Sequence, residues 1–159
     1  MKTKFPFKSI LIVCSVNTAR SCMTEGFLKD FFSKQNLNVK VKSAGISSHA
    51  RDGMLISMDA KMAMQEVGII LSDSSLSIDL KKHSEILKGV DLILTLTDKH
   101  VEEIKEFFDI NSTEILTLKQ FAGEIGDIDD PSMKELEGFR EARNEIISCL
   151  MKGLNKYEF

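Results

Sequence analysis

Val13-Cys14-Ser15-Val16-Asn17-Thr18-Ala19-Arg20-Ser21 sets a cysteine and an arginine at the two ends of one short polar stretch. On its N-terminal side, Ser9-Ile10-Leu11-Ile12-Val13 is a compact apolar run rich in β-branched residues, the pattern of a buried strand that ends at the cysteine. On its C-terminal side, Met23, Phe27 and Phe31 recur at the four-residue spacing of one helical face. The stretch is therefore predicted to be the tight loop of a strand–loop–helix junction.

At such a junction the loop N–H groups and the first helical turn converge on one spot, where the helix dipole also favours negative charge. An oxyanion and a thiolate would both be stabilised there. Arg20 presents a planar fork suited to two oxygens of a phosphoryl group, which lysine cannot reproduce. Ser21 is placed to donate to the thiolate, and Asn17 is a residue type that tolerates positive φ and so suits the turn. The phosphate-binding set is thus Ser15, Val16, Asn17, Thr18, Ala19, Arg20 and Ser21 around Cys14.

Further along, Asn38-Val39-Lys40-Val41-Lys42 alternates like a half-exposed strand and leads into Ser43-Ala44-Gly45, read as a turn. Ser47 to Gly53 reads as a surface loop carrying His49, followed by a helix with Ala60, Ala63, Met64 and Val67 on its inner face and Gly68 as its cap. Met54, Met58, Met62 and Met64 fall at helical spacing and are read as core filling. A short helix is expected near Leu80–Leu87, then a strand over Asp91–Thr97 and a helix capped by Asp98 with Val101, Ile104 and Phe108 inward. Glu114–Leu118 is a fourth strand, and the last helix carries Leu136, Phe139, Ile146, Ile147, Leu150 and Leu154. Alternating strands and helices imply a parallel four-stranded sheet covered on both faces, with ligands beyond the carboxyl ends of the strands, where Cys14 emerges.

Gly126-Asp127-Ile128-Asp129-Asp130-Pro131 supplies carboxylates on a late loop, and Pro131 holds the preceding residue extended. Either Asp129 or Asp130 is a candidate proton donor. Ser132-Met133-Lys134-Glu135 also has the form of a capping box for the last helix.

The 159 residues are 43% hydrophobic with a formal charge of -3, which suits one domain over residues 1–159 and gives no electrostatic reason to expect nucleic acid or a membrane surface. Three cysteines at no metal-ligand spacing, and an N-terminus lacking a long apolar run, lead to the expectation of a cytoplasmic protein with free thiols and no metal or other cofactor.

Val-Cys-x5-Arg-Ser between strand and helix, with a late Asp-Pro, resembles the low-molecular-weight protein tyrosine phosphatase family, over nearly the whole chain from Ile10 to about Leu154. The resemblance implies a flavodoxin-like three-layer sandwich and a cysteine-dependent phosphatase working through a phosphocysteine intermediate. It implies Cys14 as nucleophile, Arg20 as oxyanion clamp, Asp130 as general acid, and Ser43 as support for Asn17. Its partners would be a phosphorylated protein or peptide, with inorganic phosphate or other oxyanions in the loop. Val16, Ala19 and Cys22 depart from the family's usual glycine, cysteine and proline, and no histidine lies near Asp73 where relatives have one. Ser132 and Met133 stand where phosphotyrosine enzymes place aromatics, whereas Thr18 and Ile115–Lys119 are similar to bacterial protein-arginine phosphatases. Two alternatives share the loop: an arsenate reductase, whose further cysteines are missing from Asp91 to His100, and an oxyanion-binding module without turnover.

Overall fold

The computed structural model describes residues 1–110 and 112–159. Its central sheet is built from β2 (Ser9–Cys14), β3 (Lys40–Gly45), β4 (Leu92–Thr95) and β5 (Glu114–Thr117), in the order β3-β2-β4-β5 with every pair parallel. The helices are α1 (Arg20–Lys34), α2 (Met58–Gln65), α3 (Asp98–Phe107), α4 (Leu118–Phe121) and α5 (Glu135–Leu154), with two 3-10 turns at Leu80–Lys82 and Ser84–Leu87. Among the described residues, no helix is long and apolar enough to cross a membrane.

Strand alternation divides the core. Ile10, Ile12 and Cys14 point to one face, against Met23, Leu28 and Phe32 of α1 and Phe139, Ile146 and Leu150 of α5. Leu11 and Val13 point to the other, against Leu80, Ile93 and Ile104. The chain leaves β2 in one direction for β3 and returns on the other side for β4, so the carboxyl end of β2 lies at the switch point where such sheets bind ligands.

The four strands and the covering helices match the sequence reading, and several details differ. Ser43-Ala44-Gly45 is not a turn but the end of β3, extended by pairing with Ile12, Val13 and Cys14. Gly45 belongs there because a Cβ would come within 2.8 Å of the Ser15 carbonyl oxygen and 3.0 Å of the Val16 carbonyl carbon. Thr97, rather than Asp98, caps α3: its hydroxyl accepts from the His100 N–H, and His100 Nδ1 accepts from the Thr97 N–H. Ser132 forms no capping box, since α5 begins at Glu135 with Lys134 as an N-cap that makes no side-chain bond. α2 stops at Gln65 with Gly68 just beyond at φ 82°, which leaves Val67 outside the buried face of Ala60, Ala63 and Met64. Of the four methionines read as packing, only Met64 is buried; Met54, Met58 and Met62 are exposed.

The ends of the chain also meet. β1 (Thr3–Lys4) pairs in parallel with β6 (Tyr157–Glu158) over a cluster of Phe5, Phe7, Phe31, Phe32, Tyr157 and Phe159.

Candidate active site

Cys14 is the last residue of β2, and the loop from Ser15 to Ala19 turns the chain into α1. Asn17 takes the left-handed conformation, φ 63°, that closes this loop. Its side chain, 2% exposed, then ties three segments together. Asn17 Nδ2 donates to Ser21 Oγ at 2.8 Å and to Ser43 Oγ at 2.9 Å, and Asn17 Oδ1 accepts from the Ile78 N–H at 3.0 Å. Ser43 Oγ in turn donates to Glu25 on α1. The support that the sequence left open near Asp73 thus comes from a backbone amide. Asp73 itself is exposed and pairs with Lys61.

The thiol of Cys14 receives two contacts: Ser21 Oγ at 3.0 Å and the Asn17 N–H at 3.3 Å. No side chain caps α1, so its first-turn amides remain available to an anion in the loop. Cys22 lies one turn into α1, where its thiol donates to the Asn17 carbonyl. Burial, with the charges of Cys14 and Glu25, pushes the Cys22 pKa upward and keeps it protonated.

Arg20 is 5% exposed and held from three sides. Nη1 donates to the Ile128 carbonyl at 2.8 Å, Nη2 lies 3.4 Å from Ser15 Oγ, and Nη2 reaches Asp130 Oδ2 at 4.0 Å. The Asp-Pro loop is anchored beside it, because the Ile128 N–H donates to the Leu96 carbonyl and Asp127 accepts from the Asp98 N–H. Asp130, whose other oxygen accepts from the Ser132 N–H, is the carboxylate that faces Arg20 and the loop; its neighbour Asp129 is exposed.

Two positions that sequence reasoning passed over belong to this arrangement. Glu25 holds Ser43, and His100 holds Ser15. His100 is 2% exposed, and burial together with the Arg20 charge lowers its pKa to about 3, so its ring is neutral. With Nδ1 accepting from Thr97, the proton of the neutral ring sits on Nε2, which donates to Ser15 Oγ at 2.9 Å. Thr97-x-x-His100 has the three-residue spacing of a capping box and was the available signal for it. His49 is exposed, and its backbone N–H donates to Ser47 Oγ.

A thiol, an arginine fork and a carboxylate around a loop at a helix N-terminus suit phosphoryl transfer through a covalent sulfur adduct. Residues 9–157 match the family described as low molecular weight phosphotyrosine protein phosphatase. The chain belongs to this family.

Members of this phosphatase family act on phosphorylated proteins, and the relatives divide by substrate. The protein-arginine-phosphatase of Geobacillus stearothermophilus is 39% identical over 138 residues, 86% of this chain and 87% of that one. The low molecular weight protein tyrosine phosphatase from T. tengcongensis has a solved structure with a TM-score of 0.84 at 30% identity, covering 93% of this phosphatase and 98% of that chain. A serine variant of YwlE arginine phosphatase, solved with its active-site serine phosphorylated, has a TM-score of 0.82 at 30% identity, covering 91% of both chains.

Proposed function

We propose that this phosphatase hydrolyses phosphoarginine in proteins, with Cys14 as nucleophile, Asp130 as general acid and then base, and Arg20 with the loop amides as the clamp on the phosphoryl oxygens. The observation that carries the reading is the convergence of Arg20 on both the loop and the Asp-Pro segment: one guanidinium lies 2.8 Å from the Ile128 carbonyl and 4.0 Å from Asp130.

In the first step Cys14 Sγ bonds to phosphorus as the P–N bond breaks, and the proton of Asp130 passes to the departing guanidine nitrogen. In the second, Asp130 takes a proton from water, the water oxygen bonds to phosphorus, the S–P bond breaks and phosphate leaves. Ser21, 3.0 Å from Cys14 Sγ, stabilises the thiolate that departs. A phosphorylated serine at the active site of a relative is what a covalent route of this kind leads one to expect.

Arginine is favoured over tyrosine by what borders the site. Ser132 and Met133 follow Asp130-Pro131, and Met133, 93% exposed, offers no aromatic wall for a phenol ring. The loop that carries Asp130 also carries the exposed carboxylates Asp127 and Asp129, a charge complementary to a guanidinium and indifferent to a neutral phenol. The 39% identity to a protein-arginine-phosphatase supports the same choice.

The test is phosphate release from matched phosphoarginine and phosphotyrosine peptides by wild type, Cys14→Ser and Asp130→Asn. The expected result is a kcat/KM for phosphoarginine at least about tenfold higher, worth about 1.4 kcal/mol, with no turnover by Cys14→Ser. Faster hydrolysis of phosphotyrosine would reassign the substrate, and turnover by Cys14→Ser would overturn the mechanism.

A further inference from the structure

The hydroxyl of Ser15 has no task in the two chemical steps above, yet two buried side chains are directed at it. His100 Nε2 lies 2.9 Å from Ser15 Oγ and Arg20 Nη2 lies 3.4 Å from it. His100 is 2% exposed and Arg20 5%. An apolar residue at position 15 would leave the Nε2–H of a buried histidine without an acceptor, so the hydroxyl and the imidazole belong together.

The protons on these contacts follow from the geometry. The Thr97 N–H points at His100 Nδ1, 3.2 Å away, so Nδ1 presents its lone pair and Nε2 carries the proton. A guanidinium only donates. Ser15 Oγ is therefore the acceptor in both contacts, which uses its two lone pairs, and its own proton takes the remaining tetrahedral direction, away from both donors. Among the described residues, no hydrogen bond has Ser15 Oγ as its donor. Cys14 Sγ is contacted by Ser21 and Asn17, and Asp130 by the Ser132 N–H and Arg20. His100 and Arg20 take up the buried side of Ser15, which is itself half-buried, so the proton faces the open side of the loop. Arg20 Nη2 borders the same space, with Asp130 Oδ2 4.0 Å from that nitrogen.

The hydroxyl is also held in place. The Ser15 carbonyl accepts from the Ser47 N–H at 3.1 Å, and Gly45 packs so near that a Cβ there would lie 2.8 Å from the same oxygen. His100 is fixed in turn by the capping box at the start of α3, where Thr97 Oγ accepts from its N–H. A donor aligned before the substrate arrives needs no reorganisation during the reaction, and the Arg20 cation polarises the O–H it touches.

We propose that the Ser15 hydroxyl donates a hydrogen bond to a phosphoryl oxygen in the transition states at Cys14, and that His100 is the positioning residue that aims it. This rests on the phosphatase reading above and holds for phosphoarginine and phosphotyrosine alike. The transferring group spreads its charge over three equatorial oxygens, and Ser15 supplies a side-chain donor beside the loop amides and Arg20. The hydroxyl keeps its proton throughout, since Asp130 alone exchanges protons with the leaving group and with water.

The test measures kcat/KM on para-nitrophenyl phosphate and on a phosphoarginine peptide, and inhibition by orthovanadate, which takes up the five-coordinate geometry of the transition state on a thiolate. Ser15→Ala, His100→Ala, the double variant and Ser15→Thr, which restores the hydroxyl, are compared with the wild type. Ser15→Ala is expected to lower kcat/KM about tenfold to a hundredfold on both substrates and to weaken vanadate inhibition by a similar factor. Ser15→Thr is expected to stay within about threefold of the wild type. The pH limbs of kcat/KM stay where they are, since neither Cys14 nor Asp130 is touched. His100→Ala lowers kcat/KM when Ser15 is present and changes it less than about twofold in the Ser15→Ala background.

An unchanged kcat/KM in Ser15→Ala, with the wild type active, would overturn the proposal and leave the phosphatase reading standing. A loss in Ser15→Thr equal to that in Ser15→Ala would overturn it as well, because the side chain would then be packing the loop. A shifted pH limb in Ser15→Ala would do the same by placing the effect on Cys14 or Asp130. Equal losses from His100→Ala in both backgrounds would overturn the positioning role of His100. Failure of the wild type to hydrolyse either substrate would overturn the phosphatase reading and the proposal with it.

Discussion

Asn17→Ala removes the residue on which the loop converges, and its cost is calculable. Three hydrogen bonds of a side chain 2% exposed are lost, to Ser21 Oγ, Ser43 Oγ and the Ile78 N–H, along with a longer, weaker one from Nδ2 to Cys22 Sγ at 3.7 Å. At about 1 kcal/mol each the three contribute about 3 kcal/mol. Alanine must also hold φ 63°, a conformation asparagine tolerates better, for roughly 1 kcal/mol more. The total of about 4 kcal/mol is a large fraction of the 5–15 kcal/mol typical of a folded domain, and for a chain of this size it lowers Tm by roughly 8–16 °C. Ser43→Ala alone removes one acceptor of Asn17 and the partner of Glu25, for about 1–2 kcal/mol. Because the Asn17–Ser43 bond is common to both, the double variant is expected to cost about 1 kcal/mol less than the sum. Urea unfolding of the wild type, both single variants and the double variant measures all four corners of this cycle. An Asn17→Ala loss under about 1 kcal/mol, or strict additivity, would refute the claim that this side chain ties the loop, β3 and the segment at Ile78 together.

Other consequences are as definite. His100→Gln, which keeps a donor to Ser15, is expected to retain more kcat than His100→Ala; equal losses in the two would mean that the ring only fills space. The Nε2 of His83 lies 2.8 Å from Asp52 and its Nδ1 3.2 Å from Glu85, and these carboxylates raise the His83 pKa, Asp52 first. A raised histidine pKa gives stability that is full below the ordinary value of about 6.5 and is lost as pH rises through the folded value. Asp52 is shifted the other way, so its share is present above about 3.9 and is lost in acid. His83→Gln should therefore lower Tm near about pH 6 and converge on the wild type in alkali, and a pH-independent difference would contradict the clamp. Gly153 packs against Phe121 so closely that a Cβ would lie 2.2 Å from its ring. Gly153→Ala is expected to destabilise by about 1–3 kcal/mol in urea, less up to about 1 kcal/mol of helix propensity, and a raised urea midpoint would show that α4 yields.

How much of this the sequence disclosed depends on the range over which each feature is encoded. The β2–loop–α1 junction is written in contiguous residues, Ser9 to Phe32, so apolar run, polar loop and helical spacing all point one way. Asp130 stands out in the sequence because Pro131 marks the backbone next to it, and the reading that prefers it to Asp129 rests on the position of Arg20, 110 residues earlier in the chain. Glu25 and His100 were not legible because each acts through a single side chain on another segment, and each also fits an ordinary surface or capping role. The methionines misled because helical spacing says which residues share a face and not which face is covered. In α2 the small residues Ala60 and Ala63 take the inner side. The β1–β6 pairing joins two strands of two residues each, too short to carry any alternation.

The central claim is that Cys14 carries the phosphoryl group during turnover. Wild type mixed with a phosphoarginine peptide, quenched within the first turnover and analysed by mass spectrometry, is expected to carry a phosphoryl group on the peptide containing Cys14, formed before phosphate appears in solution. Phosphate release with no such adduct, or continued turnover by Cys14→Ser, would contradict the account.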